Sequence, residues 1–280
     1  MGKKLLKNTP LVTVAIPLYR GEFIRQAIDS VLSQSFKDFE LLVVDDASDD
    51  KSREIVLSYS DPRIVYVRNR KNLGAEGNWN RCLALAKGTY IKILPHDDSL
   101  EPDCLKKQVS VLDADLDERI VLVFCARKII NTEGKQVAVR RFFGMPAGRV
   151  VARYLIRKCI LYGTNLIGEP GAVLFRSNAA RAIGDFNGKI PYVIDLDYWV
   201  RLLSRGNAYF IDRPLSTFRL SSSSWSVKIG AGQSKQFARF VCLVAKNPAN
   251  FISSIDVIIG CLAAGMNCLA RRIFYLLVIR

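Results

Sequence analysis

Histidine is almost absent from this chain of 280 residues: His96 is the single one. A zinc site of the Cys/His type therefore lacks its nitrogen ligands. The seven cysteines, at 82, 104, 125, 159, 242, 261 and 268, form no CxxC pair. Most fall within apolar stretches, so they read as reduced, buried thiols of a cytosolic protein. No glycine-rich GxGxxG turn follows the first apolar run, where Pro17-Leu-Tyr-Arg-Gly21 stands instead. That removes the fingerprint a dinucleotide-dependent oxidoreductase needs. The N-terminus, Met1-Gly-Lys-Lys-Leu-Leu-Lys, is basic but has no long apolar core or small-residue cleavage site, so no signal peptide is expected. Leu at position six also departs from the myristoylation pattern.

Acidic residues are in short supply, 26 against 41 Lys and Arg, for a formal net charge of +15. Such an excess favours anionic partners: nucleic acid, phosphorylated small molecules or an acidic membrane surface. The basic residues are scattered and build no recognisable nucleic-acid module. Half of the residues are apolar. That is enough to bury a sizeable core in one large α/β domain, with or without a C-terminal appendage. No internal repeat is present.

Order along the chain is regular at first. Val12–Ile16 is a β-branched apolar run ended by Pro17. Residues 22–34 carry Ile24, Ala27, Ile28, Val31 and Leu32 at helical spacing. Glu40–Val44 predicts a second strand that closes on Asp45-Asp46-Ala47-Ser48, followed by a helix over 51–59. Ile64–Val67 predicts a third strand, 75–86 a helix and 90–94 a fourth strand. Continuous apolar strands alternating with helices argue for a parallel sheet buried on both faces. Tyr19, Asp45/Asp46 and Asp97/Asp98 then meet at one edge of that sheet. Beyond residue 100 the spacing predicts helices over 103–113, 150–161 and 195–204 and strands at Ile120–Ala126 and Gly171–Phe175. A hairpin or loop is expected over 131–148, and flexible loops at Ser221–Ser224 and around Gly230 and Gly232.

The fourth strand runs out into His96-Asp97-Asp98. Two adjacent carboxylates at the carboxyl end of a buried strand lie where open α/β sheets place ligands, and they suit a Mg²⁺- or Mn²⁺-bound phosphate. The same residues also read as a turn in which Asp98 or Ser99 caps the next helix. The tail, Phe251–Ala270 followed by Arg271-Arg272 and Ile273–Ile279, is mostly apolar. It is long enough to span a bilayer, but Asp256 makes that costly. An interfacial helix with basic anchors is the preferred reading, and a helix packed on the domain the alternative.

Ordered motifs over residues 10–220 resemble the family 2 glycosyltransferases. They are Val14–Tyr19, Ala27–Gln34, Leu42–Ser48, Asn72-Leu-Gly74, Asn80, Ala86–Ile91, the His-Asp-Asp, Gly168–Arg176 and Asp195–Leu202. The resemblance implies a GT-A (Rossmann-like) fold of class α/β, a mostly parallel central sheet flanked by helices. On that pattern residues 1–100 are expected to form the nucleotide-sugar-binding half and 101–225 the acceptor-binding half; residues 226–280 lie outside the resemblance and are expected to form a C-terminal helical tail, on the membrane or packed on the domain. It places Pro17, Tyr19, Asp46, Gly74, Asn80 and Asp97 at the nucleotide, with Tyr19 as the base platform and Asp45 as the alternative to Asp46. Asp97 and Asp98 become the metal ligands for Mg²⁺ or Mn²⁺, although Pro95 stands where many members carry an acid. Trp79 replaces a common Arg, so that positive contact is expected either to be absent or to be supplied by Arg68 or Arg81. Asp195 takes the place of the catalytic base, with Asp197 as fallback, and Arg219 and the serines after it fall in a segment that closes over the diphosphate.

The expected activity is sugar transfer with inversion from a nucleoside-diphosphate sugar to a saccharide acceptor. The acceptor is expected to be lipid-linked, at the inner face of a bacterial membrane, in surface polysaccharide synthesis. The competing expectation is a membrane-associated scaffold with weak catalysis. Nucleic acid is not expected as a partner.

Overall fold

The computed structural model describes residues 9–142, 144–221 and 225–278. The basic N-terminal heptad and Ser222–Ser224 lie outside the described residues. Among these, nine strands join one mixed sheet. Strand β1 (Val12–Leu18) is buried along its whole length. It pairs in parallel with β2 (Phe39–Asp45) and β4 (Tyr90–Ile93), and β2 pairs in parallel with β3 (Ile64–Arg68). Helices α1 (Ile24–Leu32), α2 (Ser52–Leu57) and α3 (Gly74–Leu85) make the crossovers. In α1 the buried positions Ile24, Ala27, Ile28 and Val31 fall at intervals of three and four, the stripe a surface helix turns inward.

Alternation along the strands divides the apolar residues between two cores. Val12, Val14, Ile16, Leu41 and Val43 face one side, beneath α1 and α4 (Cys104–Ala114). Ala15, Leu42, Val44, Ile91 and Ile93 face the other, beneath α5 (Ala152–Leu161), α7 (Ile194–Leu203) and α9 (Gly232–Ala245).

Past β4 the sheet ceases to be purely parallel. β8 (Val173–Arg176) lies antiparallel between β4 and β5 (Ile120–Ile130). β6 (Gln136–Arg140) forms a hairpin with β5, and β7 (Gly148–Val150) pairs antiparallel with β9 (Asn207–Arg219). β9 runs parallel to β5 inside the sheet although it contains Pro214. The register shifts at Cys125/Ala126 and Ala126/Arg127, directly opposite Pro214, and a bulge is where a strand tolerates a missing amide. Helices α6 (Ser177–Ile183) and α8 (Trp225–Ile229) complete the second half.

The tail is helix α10 (Ser254–Val278). One face packs on α5 and α9 through Ala264 and Cys268. A Cβ on Gly260 would stand 2.7 Å from the Ile160 carbonyl oxygen, so the helices approach backbone to backbone. Asp256, the residue that made a membrane span costly, is buried in the first turn and paired with Arg157 at 2.9 Å. The opposite face exposes Ile255, Ile259, Leu262, Met266, Leu269, Ile273 and Leu276. The expected pair of basic anchors is corrected: Arg272 is exposed, but Arg271 turns inward and lines a cavity.

Candidate active site

Parallel strands deliver their carboxyl ends to one edge. Tyr19 follows β1, Asp46 follows β2, and Pro95-His96-Asp97-Asp98 follows β4. These side chains line a cavity of about 900 Å³, together with Pro17, Gly74, Trp79, Glu169 and Asp195. The volume lies within the range of small-molecule sites.

Two of the turns that aim these residues hold non-glycine backbone at positive φ. Arg20 (φ 49) follows Tyr19 and Ala47 (φ 59) follows Asp46. Such conformations persist where neighbours enforce them, and here Ser48 Oγ accepts the Arg20 amide at 3.1 Å, tying one turn to the other. Tyr19 stands 40 % exposed at the rim, with the Arg20 guanidinium 5.3 Å from the centre of its ring.

Asp46 is buried and its oxygens are already engaged. Asn69 Nδ2 and the amides of Leu73 and Gly74 donate to it at 2.8–3.0 Å. It caps α3 through space, a carboxylate at a helix N-terminus. Gly74 suits that junction because its φ is +74°, where a side chain would be strained. Asp45 faces away from the cavity and accepts from the Tyr66 hydroxyl at 2.6 Å and the Ser48 amide at 2.9 Å.

Three expectations are corrected. Asn80 lies outside the cavity lining: its amide is locked to the backbone of Phe186 at both ends, at 2.8 and 3.1 Å. Asn78, two positions earlier and so on the other side of α3, lines the cavity instead. Neither Arg68 nor Arg81 lines it; Arg68 donates to the Ser48 carbonyl at 2.8 Å. Arg219 is not among the residues that line the cavity. Its guanidinium binds the carbonyls of Asp97, Asn131 and Thr132 and the side chain of Gln26, over the Phe23 ring. It is a clamp on the loop that carries the acids.

That clamp holds Asp98 as well. The Arg219 amide donates to Asp98 Oδ1 at 2.8 Å, while Asp98 Oδ2 is buried with no donor. Burial, then the nearby Asp97 charge, raises the Asp98 pKa well above the ordinary carboxylate range. His96 Nδ1 is likewise buried and unpartnered. Among the described residues no group of three or more His, Cys, Asp or Glu is arranged around a common centre. An orphan carboxylate oxygen beside a second carboxylate fits an ion such as Mg²⁺, which takes one or two protein ligands and completes its shell with phosphate and water.

Asp195 sits in the first turn of α7. Its Oδ1 accepts the Leu196 amide at 2.7 Å and its Oδ2 accepts Asn165 Nδ2 at 2.9 Å. Asn165 is itself fixed by Gly168, whose amide it accepts and whose carbonyl it reaches. Trp199 Nε1 donates to the same Gly168 carbonyl at 3.1 Å, so helix and loop share one anchor. Burial, then the charge of Glu169, pushes the Asp195 pKa up to about 7. Glu169 forms a buried ion pair with Arg127. Asp197 points elsewhere, pairing with Arg201 at 2.9 Å. Asn165 and Glu169 were not singled out from sequence. Glu169 sits in the Gly168-Glu-Pro-Gly171 turn, whereas Asn165 has no motif around it.

A family model described as "Glycosyl transferase family 2" matches residues 13–184. An uncharacterized protein of Mycobacterium tuberculosis is 31 % identical over 229 residues, covering 79 % of this chain and 71 % of the relative. An uncharacterized glycosyltransferase of Methanocaldococcus jannaschii is 34 % identical over 213 residues, covering 73 % and 68 %. One from Rickettsia typhi is 30 % identical, and there the chain spans 61 % of the relative's length. Among solved structures, residues 1–349 of Staphylococcus aureus TarS in complex with UDP-GlcNAc superpose with a TM-score of 0.66 at 20 % identity, over 84 % of this chain and 65 % of that one. A mannosyltransferase from Pyrobaculum calidifontis in complex with GDP-Man and Mn²⁺ gives 0.65 at 16 % identity, over 98 % and 77 %. At those identities the two structures speak to the fold, which is GT-A.

Proposed function

The chain belongs to glycosyl transferase family 2, and on that premise we propose that it transfers a sugar, with inversion, from a nucleoside-diphosphate sugar to a saccharide hydroxyl. One observation carries the reading. A single cavity brings together a partly exposed aromatic ring (Tyr19), an unpartnered buried carboxylate oxygen (Asp98) and a carboxyl whose pKa is raised to about 7 (Asp195). Tyr19 and Pro17 form the base platform, and Asp46, through the α3 N-terminus that it shapes, borders the nucleotide. Residues 1–100 act as the donor half and 101–225 as the acceptor half.

Asp195 accepts the proton of the attacking hydroxyl. A base works best when its pKa lies near the operating pH, and burial brings this carboxyl there. Asn165 and the Leu196 amide hold it in one orientation. Asp98, aided by Asp97, would hold Mg²⁺ or Mn²⁺. Such an ion stabilises the charge that develops on the diphosphate leaving group. The mannosyltransferase bound to GDP-Man and Mn²⁺ supports this choice of ion class.

The acceptor we propose is lipid-linked, met at the inner face of the membrane. The exposed apolar face of α10, lying beside α5 with Arg153, Tyr154 and Lys158 on it and Tyr162 at its end, supports that surface. The helix is also long and apolar enough to cross a bilayer by length and composition. A thermal-shift screen of nucleoside-diphosphate sugars with Mn²⁺ tests the donor: one of them should raise Tm in a concentration-dependent way, and no response to any of them would refute the reading.

A further inference from the structure

Beyond Asp195 the cavity continues to side chains that donor binding and proton transfer leave unused. Arg140 comes from β6 and Arg271 from α10, and both line the cavity. They meet at one hydroxyl: Arg140 Nη2 lies 3.3 Å and Arg271 Nη1 3.5 Å from Thr164 Oγ1. Arg271 Nε donates to Gln233 Oε1 at 2.8 Å, and its guanidinium lies 5.6 Å from the centre of the Tyr192 ring. Its Nη2 is buried with no acceptor at all. A buried donor left unmet is costly, the more so when it belongs to a charged group.

Charge here is out of balance. The carboxylate near Arg140 is Glu169, 3.8 Å from Arg140 Nη1, and it is already paired with Arg127. Burial, and after it the charge of Arg127, pull the Arg140 pKa below its ordinary value, and Arg271 adds to the effect. An anion seated between the two guanidiniums would take up the free Nη2 and relieve that repulsion. Arginine forks match the oxygens of phosphate well, and Lys228 lines the same cavity.

We propose that Arg140, Arg271 and Thr164 form a second anion subsite, one that binds a phosphate or diphosphate carried by the acceptor. This rests on reading the cavity as a transfer site with Asp195 as base. Position argues for the acceptor rather than the donor. Tyr19 and Asp46 follow β1 and β2, whereas Arg140 lies on β6, which pairs with β5, and β4 and β8 separate β1 from β5 in the sheet. Thr164 directly precedes Asn165, the residue that orients Asp195. The anion therefore sits beside the reacting hydroxyl, so both belong to one short acceptor unit. Ile229, Phe237 and Tyr275 give the subsite an apolar wall, as an isoprenoid-linked phosphate would require.

Calorimetric titration of the full chain, first saturated with UDP or GDP and Mn²⁺, tests this. Inorganic pyrophosphate should then bind at one further equivalent. Arg271→Gln and Arg140→Gln should each weaken that step at least tenfold, and Arg271→Lys should lose less than Arg271→Gln. A bracing role alone would lower Tm and leave the second step unchanged. Absence of a further equivalent, or equal affinity in folded variants, overturns the proposal. If the arginine variants do not fold, Thr164→Val, which keeps both cations and removes their shared hydroxyl, should still weaken binding; unchanged affinity there overturns it too. Farnesyl diphosphate as a second probe separates the sources: tighter binding than pyrophosphate marks a lipid-borne phosphate, and equal binding marks the phosphate alone. Failure of UDP and GDP to bind would count against the donor reading; the pyrophosphate step is then assigned to this subsite by its loss in Arg271→Gln and Arg140→Gln, and its persistence in both folded variants overturns the proposal.

Discussion

Asn165 Nδ2 lies 2.9 Å from Asp195 Oδ2, a hydrogen bond that spans thirty residues of sequence and fixes the orientation of a carboxyl with a raised pKa. Because Asn165 is held at both ends of its amide by Gly168, it can present only its NH₂ group. Asp195→Asn should therefore lower kcat by about 10²–10⁴, the usual span of a general base. Binding of the nucleotide sugar, followed by calorimetry, should survive; equal loss of both would remove Asp195 from the chemistry. Asn165→Ala should cost on the order of tenfold in kcat, about 1.4 kcal/mol, with donor KM nearly unchanged.

The pH dependence follows from the same carboxyl. Asp195 titrates at about 7, raised first by burial and then by Glu169. The base is active when deprotonated, so kcat should climb as pH rises through about 7. A rate already flat from pH 5 upward would contradict this. Stability should move the other way. A carboxyl whose folded-state pKa is raised stabilises the fold below its unfolded pKa, near 3.8, and loses that contribution as pH rises through about 7. Asp195→Asn should flatten this part of the stability profile in denaturant titrations.

Chelation gives a third test. EDTA should stop transfer, and Mg²⁺ or Mn²⁺ should restore it, because Asp98 Oδ2 has no protein donor to replace an ion. Asp98→Asn should abolish the response to added metal while keeping the Arg219 amide contact through its carbonyl oxygen. Full turnover in chelator would exclude the ion from the mechanism.

The exposed face of α10 is tested on vesicles. The protein should sediment with anionic vesicles, and Ile259→Gln, Leu262→Gln, Met266→Gln and Leu269→Gln together should release it. These side chains are exposed, so Tm should shift by little. Asp256→Ala serves as the contrast: it breaks the buried contact with Arg157 and Ser253 and should lower Tm. Binding to anionic vesicles that survives the fourfold change would refute the role of this face.

The first four strands and three helices were legible because each carries a local signal. β1 and β2 are unbroken apolar runs, and α1 repeats every three to four residues. Tyr19, Asp46, Asp97 and Asp98 were legible for the same reason, since parallel strands bring their carboxyl ends together. β9 was hidden by Pro214 and by the exposed pair Asp212-Arg213, because nothing in its own sequence records the bulge that accommodates them.

By itself the sequence determined the parallel half of the sheet, the family and the acids at the strand ends, all of which follow from short-range periodicity and motif order. Tertiary structure alone decided what each polar group touches. It assigned Asn80 to Phe186, Arg219 to the Asp97 loop, and Arg271 to a cavity rather than to solvent. Hydrogen-bond partners and local dielectric are set by residues tens to hundreds of positions away, so the raised pKa of Asp195 and the unpartnered buried oxygen of Asp98 exist only once the chain has closed around them.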